Sequence, residues 1–153
     1  MSEKGLKSLQ SIIKNKLTHT IDFIVVGRDK KIIKDYAEEI IKLAQLEVIP
    51  WYERKDKYSV TSKYAIAISW RWLINFEINS TQLIVFHDSL LPKYRGFAPL
   101  VNQLINNEFF VGVTALFANK EFDKGDIIDQ IKMEIVYPKK IEQIISRVAE
   151  IYS

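Results

Sequence analysis

The feature that most limits the fold is a set of short uncharged runs rich in β-branched and aromatic residues: IDFIVVG (21–27), YAIAIS (64–69), QLIVF (82–86) and FFVGVTALFA (109–118). A strand with one wet face alternates apolar and polar residues, so runs without that alternation suit strands buried on both faces. Between them the period changes to that of a helix. Residues 5–17 set Leu6, Leu9, Ile13 and Leu17 three and four apart, and KIIKDYAEEIIKLAQ (31–45) sets Ile33, Tyr36, Ile40 and Leu43 opposite its charges. A short strand around Val48 and Ile49 is expected to stop at Pro50, with WYERKDKYS (51–59) as a polar loop. APLVNQLINN (98–107) reads as a helix with Pro99 in its first turn, where a missing N–H costs nothing. DIIDQIKMEIV (126–136) alternates and reads as a more exposed strand, and Pro138 opens a last helix with Ile141, Ile145 and Val148 inward. Strand and helix alternate through the first two thirds, the pattern of a mostly parallel sheet covered by helices; the fold class is α/β.

Composition bounds the class of protein. A chain of 153 residues, 48% hydrophobic and 27% charged, suits one globular domain spanning 1–153. With no cysteine there is neither a disulfide framework nor a thiolate metal site. No apolar run is long enough to span a bilayer and the first residues carry no signal-peptide core, so the expected compartment is the cytoplasm and no membrane partner is expected. The net charge of +3 suits an anionic ligand, yet Lys and Asp/Glu are interleaved and form no basic stripe. A nucleic-acid module would draw only on that charge and on Trp51, Tyr52, Trp70 and Trp72, residues that more often line a core or pocket.

In open α/β sheets the ligand crevice lies outside the carboxyl ends of the strands. His87 stands at such an end, and Asp123 lies in the polar turn NKEFDKGD after the strand 109–118, so both can project into one crevice. By spacing alone His87 also fits a histidine that caps the strand and hydrogen-bonds a neighbouring carbonyl. Asp123 and Asp126 likewise fit a turn flanking Gly125. A metal site made of His87, Asp88, Asp123 and Asp126 has no ligand spacing to support it, and no metal is expected.

The segment VFHDSLLPKYRGFAPL, then GVTALF, then EFDKGDIIDQ closely resembles the folate-dependent formyltransferase family. Its signature is a strand ending Asn-x-His-x-Ser-Leu-Leu-Pro, a basic and aromatic Arg-Gly loop, Gly-Val-Thr, and Leu-Asp-x-Gly-Asp-Ile. The order agrees, with Asp123 36 residues after His87. The resemblance implies a Rossmann-like open sheet with helices on both faces, and transfer of a formyl group from 10-formyltetrahydrofolate to an amine. By the match, His87 would stabilise the oxyanion and help move the proton, and Asp123 would set the charge of the imidazole and hold a relay water. The folate ring would lie against Trp72, Leu73 and Ile74 and the loop carrying Ala118, Asn119, Asp123 and Gly125. Ser89, Lys93, Tyr94 and Arg95 would form the substrate loop. The expected partners are a small-molecule amine and, as one assembly, a second copy of the chain, without nucleic acid.

Two departures from the family stand out. Two residues before the histidine the family has Asn, whose amide donates to the formyl oxygen; here that place is Val85, on the same face of the strand as His87. A donor such as Thr114, or an amide of the DKGD loop, would have to compensate. By the resemblance the family's first, mid-sheet strand is also expected to be lacking, since a helix (5–17) leads directly into IDFIVVG. That would leave a slot, so strands 21–27 and 64–69 would have to close up or a partner fill it, and a further segment is expected upstream of Met1. The length leaves no room for a C-terminal domain that holds tRNA, which favours an amino sugar, perhaps nucleotide-linked, with glycinamide ribonucleotide next. A hydrolase that releases formate would need the same His and Asp. The alternative is a non-catalytic or degenerate folate-binding relative, motivated by Val85 and the lacking strand.

Overall fold

The computed structural model describes residues 1–30, 32, 34–74 and 81–153. Its elements run α1 (Glu3–Lys14), β1 (Ile24–Val26), α2 (Ala37–Leu46), β2 (Trp51–Glu53), β3 (Tyr64–Ala67), β4 (Gln82–His87), α3 (Pro99–Ile105), β5 (Phe110–Phe117), β6 (Ile127–Glu134) and α4 (Ile141–Glu150), with one 3₁₀ turn at Thr18–Thr20. The α/β class holds. β1 and β2 pair in parallel, as do β3 and β4, while β5 and β6 continue the second sheet antiparallel in the order β3-β4-β5-β6. β5 is mostly buried, as its continuous apolar sequence predicts, whereas β6 is almost wholly exposed, Ile127, Ile128 and Ile131 included, although its alternation predicts one buried face. Among the described residues no helix is long and apolar enough to cross a membrane.

Several elements differ from the sequence expectation. The strand expected at Val48 and Ile49 lies beyond Pro50 instead, where a loop was expected. Val48 adopts φ 56° and the Ile49 N–H returns to the Ala44 carbonyl 2.8 Å away, closing α2. The Pro50 carbonyl then accepts the Ile24 N–H at 2.9 Å, so proline serves as the first residue of the ladder, a position that needs no donor. α2 starts at Ala37 rather than at 31, where the Asp35 carboxylate accepts the Ala37 N–H at 2.8 Å; Lys31 and Ile33 lie outside the described residues. α1 ends at Lys14, so Leu17 falls past the helix and is exposed. α4 opens at Ile141, three residues after Pro138, and buries Ile144 and Val148 while Ile141 and Ile145 stay outside. Its isoleucines sit at both i+3 and i+4, so two overlapping stripes are available and the neighbours choose: Ile144 and Val148 meet Val111, Val113 and Ile135 of the sheet region.

Two cores result. One gathers Leu9 of α1, Val26 of β1, Ile40, Ile41 and Ala44 of α2, and Ile49; the other gathers Leu100, Val111, Val113, Ile135, Ile144, Val148 and Tyr152. α1 packs on both α2 and α4 and so ties the halves together. β3 is not buried on both faces as its composition suggested, since Tyr64 and Ile66 are exposed. The reason is topological: β1 and β3 do not pair, and a largely apolar cavity of about 370 Å³ lies between them, lined by Leu9, Ile24, Val25, Ile66, Ile68 and Leu83 among others. The two strands do not close up on each other.

Candidate active site

β4 delivers His87 because its apolar residues hold the strand in mid-sheet, between β3 and β5, up to its last residue. There the ring is 8% exposed. Its Nδ1 lies 3.4 Å from Oδ1 of Asp123, which arrives from the turn after β5. That turn is shaped by two backbone demands. Asp123 itself has φ 55°, a region that short polar side chains tolerate better than most. At Gly125 a Cβ would stand 1.6 Å from the Phe117 carbonyl oxygen, so only glycine lets the chain pass the end of β5. The Ala118 N–H bonds the Leu83 carbonyl at 2.8 Å and the Asn119 side chain accepts the Glu121 N–H at 2.8 Å, which fixes the start of the loop.

The loop after β4 closes over this pair. His87 Nε2 donates to the Tyr94 carbonyl at 2.8 Å, the Gly96 N–H donates to Asp123 Oδ2 at 2.8 Å, and Arg95 Nε donates to the Asp123 carbonyl at 2.8 Å. The Ser89 hydroxyl, fully buried, donates to the Lys93 carbonyl at 2.7 Å. The Tyr94 phenol donates to Glu108 at 2.7 Å and accepts from Asn106 at 3.1 Å, and Lys93 lies 3.7 Å from Glu108. His87 therefore both meets Asp123 and bonds a neighbouring carbonyl; the two sequence readings coexist in one geometry.

The expected residues divide into two groups. His87, Asp123, Ser89, Tyr94 and Arg95 converge. Trp72 packs against Gly27, where an added Cβ would meet its ring at 2.2 Å, and with its ring 4.9 Å from the Arg54 guanidinium. Leu73 is exposed and Ile74 lines the cavity between the sheets. Thr114 does not serve as a replacement donor in this arrangement, because its one proton goes to the Ser89 carbonyl at 2.6 Å while Leu91 N–H and Gln130 Nε2 donate to it. Val85 is partly buried between Ala67 and Leu116. The four residues considered as metal ligands do not assemble: Asp88 turns away, and among the described residues no group of three His, Asp or Glu could hold an ion.

Sequence reasoning missed what Asp88 does. Its carboxylate pairs with Lys4 of α1 and accepts the Tyr152 hydroxyl at 2.7 Å, and its backbone carbonyl accepts Gln103 Nε2 of α3 at 2.7 Å. Burial, and then the Asp88 charge, hold the Tyr152 phenol protonated well above its ordinary range. Two helices and the turn after α4 thus meet at the residue next to His87. Asp88→Ala would strand the Lys4 ammonium, itself about nine-tenths covered, and the expected loss is about 3 to 5 kcal/mol of folding free energy. A urea melt checks this: an unchanged midpoint would mean that the pair is solvated in solution. No local sequence signal marks this cluster, since its charged partners are 84 residues apart.

Comparison with known proteins places this geometry in context. The family model described as formyl transferase matches residues 57–152. Methionyl-tRNA formyltransferase of Sulfurimonas denitrificans is 27% identical over 135 residues, covering 84% of this chain and 45% of that protein. The enzyme of the same name from Bacteroides thetaiotaomicron is 32% identical over 131 residues, covering 77% and 39%. The chain spans less than half the length of these curated relatives. Among solved structures, glycinamide ribonucleotide transformylase 1 from Geobacillus kaustophilus superposes with a TM-score of 0.71 at 18% identity, covering 96% of this chain and 85% of that one, a likeness of fold. WlaRD, a sugar 3N-formyl transferase solved in the presence of dTDP and 5-N-formyl-THF, gives 0.65 at 26% identity, covering 86% and 48%. With its strand-end histidine, its facing aspartate and more than half of its length matched by the family model, the chain belongs to the formyl transferase family.

Proposed function

We propose that this chain transfers a formyl group from 10-formyltetrahydrofolate to a small amine, an amino sugar carried on a nucleotide. The observation that carries the reading is the 3.4 Å approach of His87 Nδ1 to Asp123 at the carboxyl end of β4. The folate would supply an activated formyl carbon and a nitrogen able to leave. The residues fit such a donor: His87 Nε2 already faces a carbonyl oxygen, and a formyl oxygen is an acceptor of the same kind. In this role His87 donates to the oxygen as negative charge gathers there, and Asp123 orients the ring and holds the proton carrier that relieves the attacking amine. A site that is mostly buried strengthens both effects, because donors fixed in a low-dielectric setting need no reorganisation.

The amino-sugar assignment is supported by the likeness to WlaRD, with dTDP in its structure. Curated relatives that act on methionyl-tRNA and structural neighbours that act on glycinamide ribonucleotide make those amines the comparison substrates. The test is to incubate the purified chain with 10-formyltetrahydrofolate and, separately, dTDP-linked amino sugars, glycinamide ribonucleotide and methionyl-tRNA, and to follow product mass. A formylated sugar nucleotide is the expected product. Formate released without amine would make the protein a hydrolase. Donor bound and never consumed would favour the second reading, a folate-binding relative without transfer, to which Val85 points.

A further inference from the structure

The loop after β4 makes a hydrogen bond to each side chain of the functional pair. Both neighbours of the imidazole, the Tyr94 carbonyl at 2.8 Å and the Asp123 carboxylate at 3.4 Å, are acceptors, so no ring N–H is left for a third group. The outer oxygen of Asp123 accepts a hydrogen bond from the same loop, from the Gly96 N–H. We propose that the segment Lys93–Ala98 is a strap closed over the site, that the Tyr94 carbonyl stands in for the oxygen of the formyl donor, and that the donor enters by displacing it. This rests on the formyl-transfer reading of His87. The fit of one acceptor for another is chemical: a peptide carbonyl and a formyl amide present the same sp² oxygen to the same N–H.

The strap is held by polar contacts rather than by apolar burial, since none of its residues is buried. Its outer face is bare: Phe97 is 88% exposed, and Lys93, Arg95 and Gly96 are exposed beside it. Three of its residues have positive φ, Tyr94 at 58°, Gly96 at 89° and Ala98 at 51°, and for Tyr94 and Ala98 that conformation is strained, so opening relieves backbone energy. Against this stand the anchors. The Tyr94 phenol on Glu108, with Asn106 behind it, pins the side chain, and Arg95 Nε pins the next residue to the Asp123 carbonyl. A phenol-to-carboxylate hydrogen bond far from the reacting atoms therefore sets how often the site is open.

The experiment uses the whole chain with 5-formyltetrahydrofolate as the probe. Tyr94→Phe keeps the carbonyl on His87 and removes the phenol's hydrogen bonds to Glu108 and from Asn106. The expected result is roughly ten- to hundredfold tighter probe binding, the factor for losing one hydrogen bond to a charged group from the closed state. Glu108→Gln, which keeps a weaker acceptor, should lie between. Limited trypsin cleavage after Arg95, mapped by mass spectrometry, should speed up in Tyr94→Phe without ligand and in the wild type on adding the probe. Weaker binding in Tyr94→Phe, with slower cleavage when the probe is present, would overturn the proposal and make the loop a lid that closes on the ligand. If neither protein binds the probe, the folate reading fails; the strap is then judged on ligand-free cleavage, where equal rates in the two proteins would sink it.

Discussion

His87→Ala is expected to lower the rate of formyl transfer about 10²- to 10⁴-fold, the range for removing a positioned acid–base group. Asp123→Asn should follow it closely. The asparagine is the cleaner substitution at that place, because the backbone at φ 55° accepts Asn readily and strains against Ala, so lost activity would report on charge rather than on a misfolded turn. The informative measurement is the double variant. The two groups meet at 3.4 Å and in the proposed mechanism serve one proton path, so kcat/KM of His87→Ala with Asp123→Asn should fall little below that of His87→Ala alone. Losses that multiply would mean that the residues act in separate steps and that the pair is not a catalytic unit. Retained activity in His87→Ala would remove the proposed mechanism altogether.

Val85→Asn is the converse experiment, with an expected gain. Val85 lies two residues before His87 and on the same face of β4, so an amide there would sit beside the imidazole. A single oxyanion donor is worth about 10²- to 10³-fold in turnover, and that is the rise expected if the isopropyl group is what limits this chain. Burying an amide between Ala67 and Leu116 carries a cost of about 1 to 3 kcal/mol wherever its hydrogen bonds go unmade, so the thermal midpoint should drop as the rate climbs. The nearby hydroxyl offers no shortcut, since Thr114 already gives its proton to Ser89 and accepts from Leu91 and Gln130. Measured kcat with the amine that works best decides the matter. No gain, in a variant that folds and binds folate, would transfer the argument to a protein that keeps the ligand and has lost the chemistry.

Where sequence reasoning and structure part company, the cause is local ambiguity settled by neighbours. α4 carries isoleucines at 141, 144 and 145, and nothing in its own period says which side is inward; the surface formed by Val111, Val113 and Ile135 does. β2 was misplaced by one proline, because a residue that ends a helix C-terminus and one that begins a ladder look alike without the partner strand, here β1 with its Ile24 N–H. β3 reads as fully buried because composition reports what a strand could pack against, and only the sheet order shows that, among the described residues, β4 is the one strand paired with it.

By itself, the sequence determined the α/β class, the strands β4 to β6, and the candidacy of His87 and Asp123, because strand composition and motif order are properties of contiguous residues. Tertiary structure alone decided that these two side chains meet, since 36 residues of intervening chain can bring them together or hold them apart. It also decided that Lys4, Asp88 and Tyr152 form one buried cluster, and that a peptide carbonyl occupies the imidazole. The physical reason is common to all three: contacts made through backbone groups, or between residues far apart in the chain, leave no trace in local hydrophobic period or residue type.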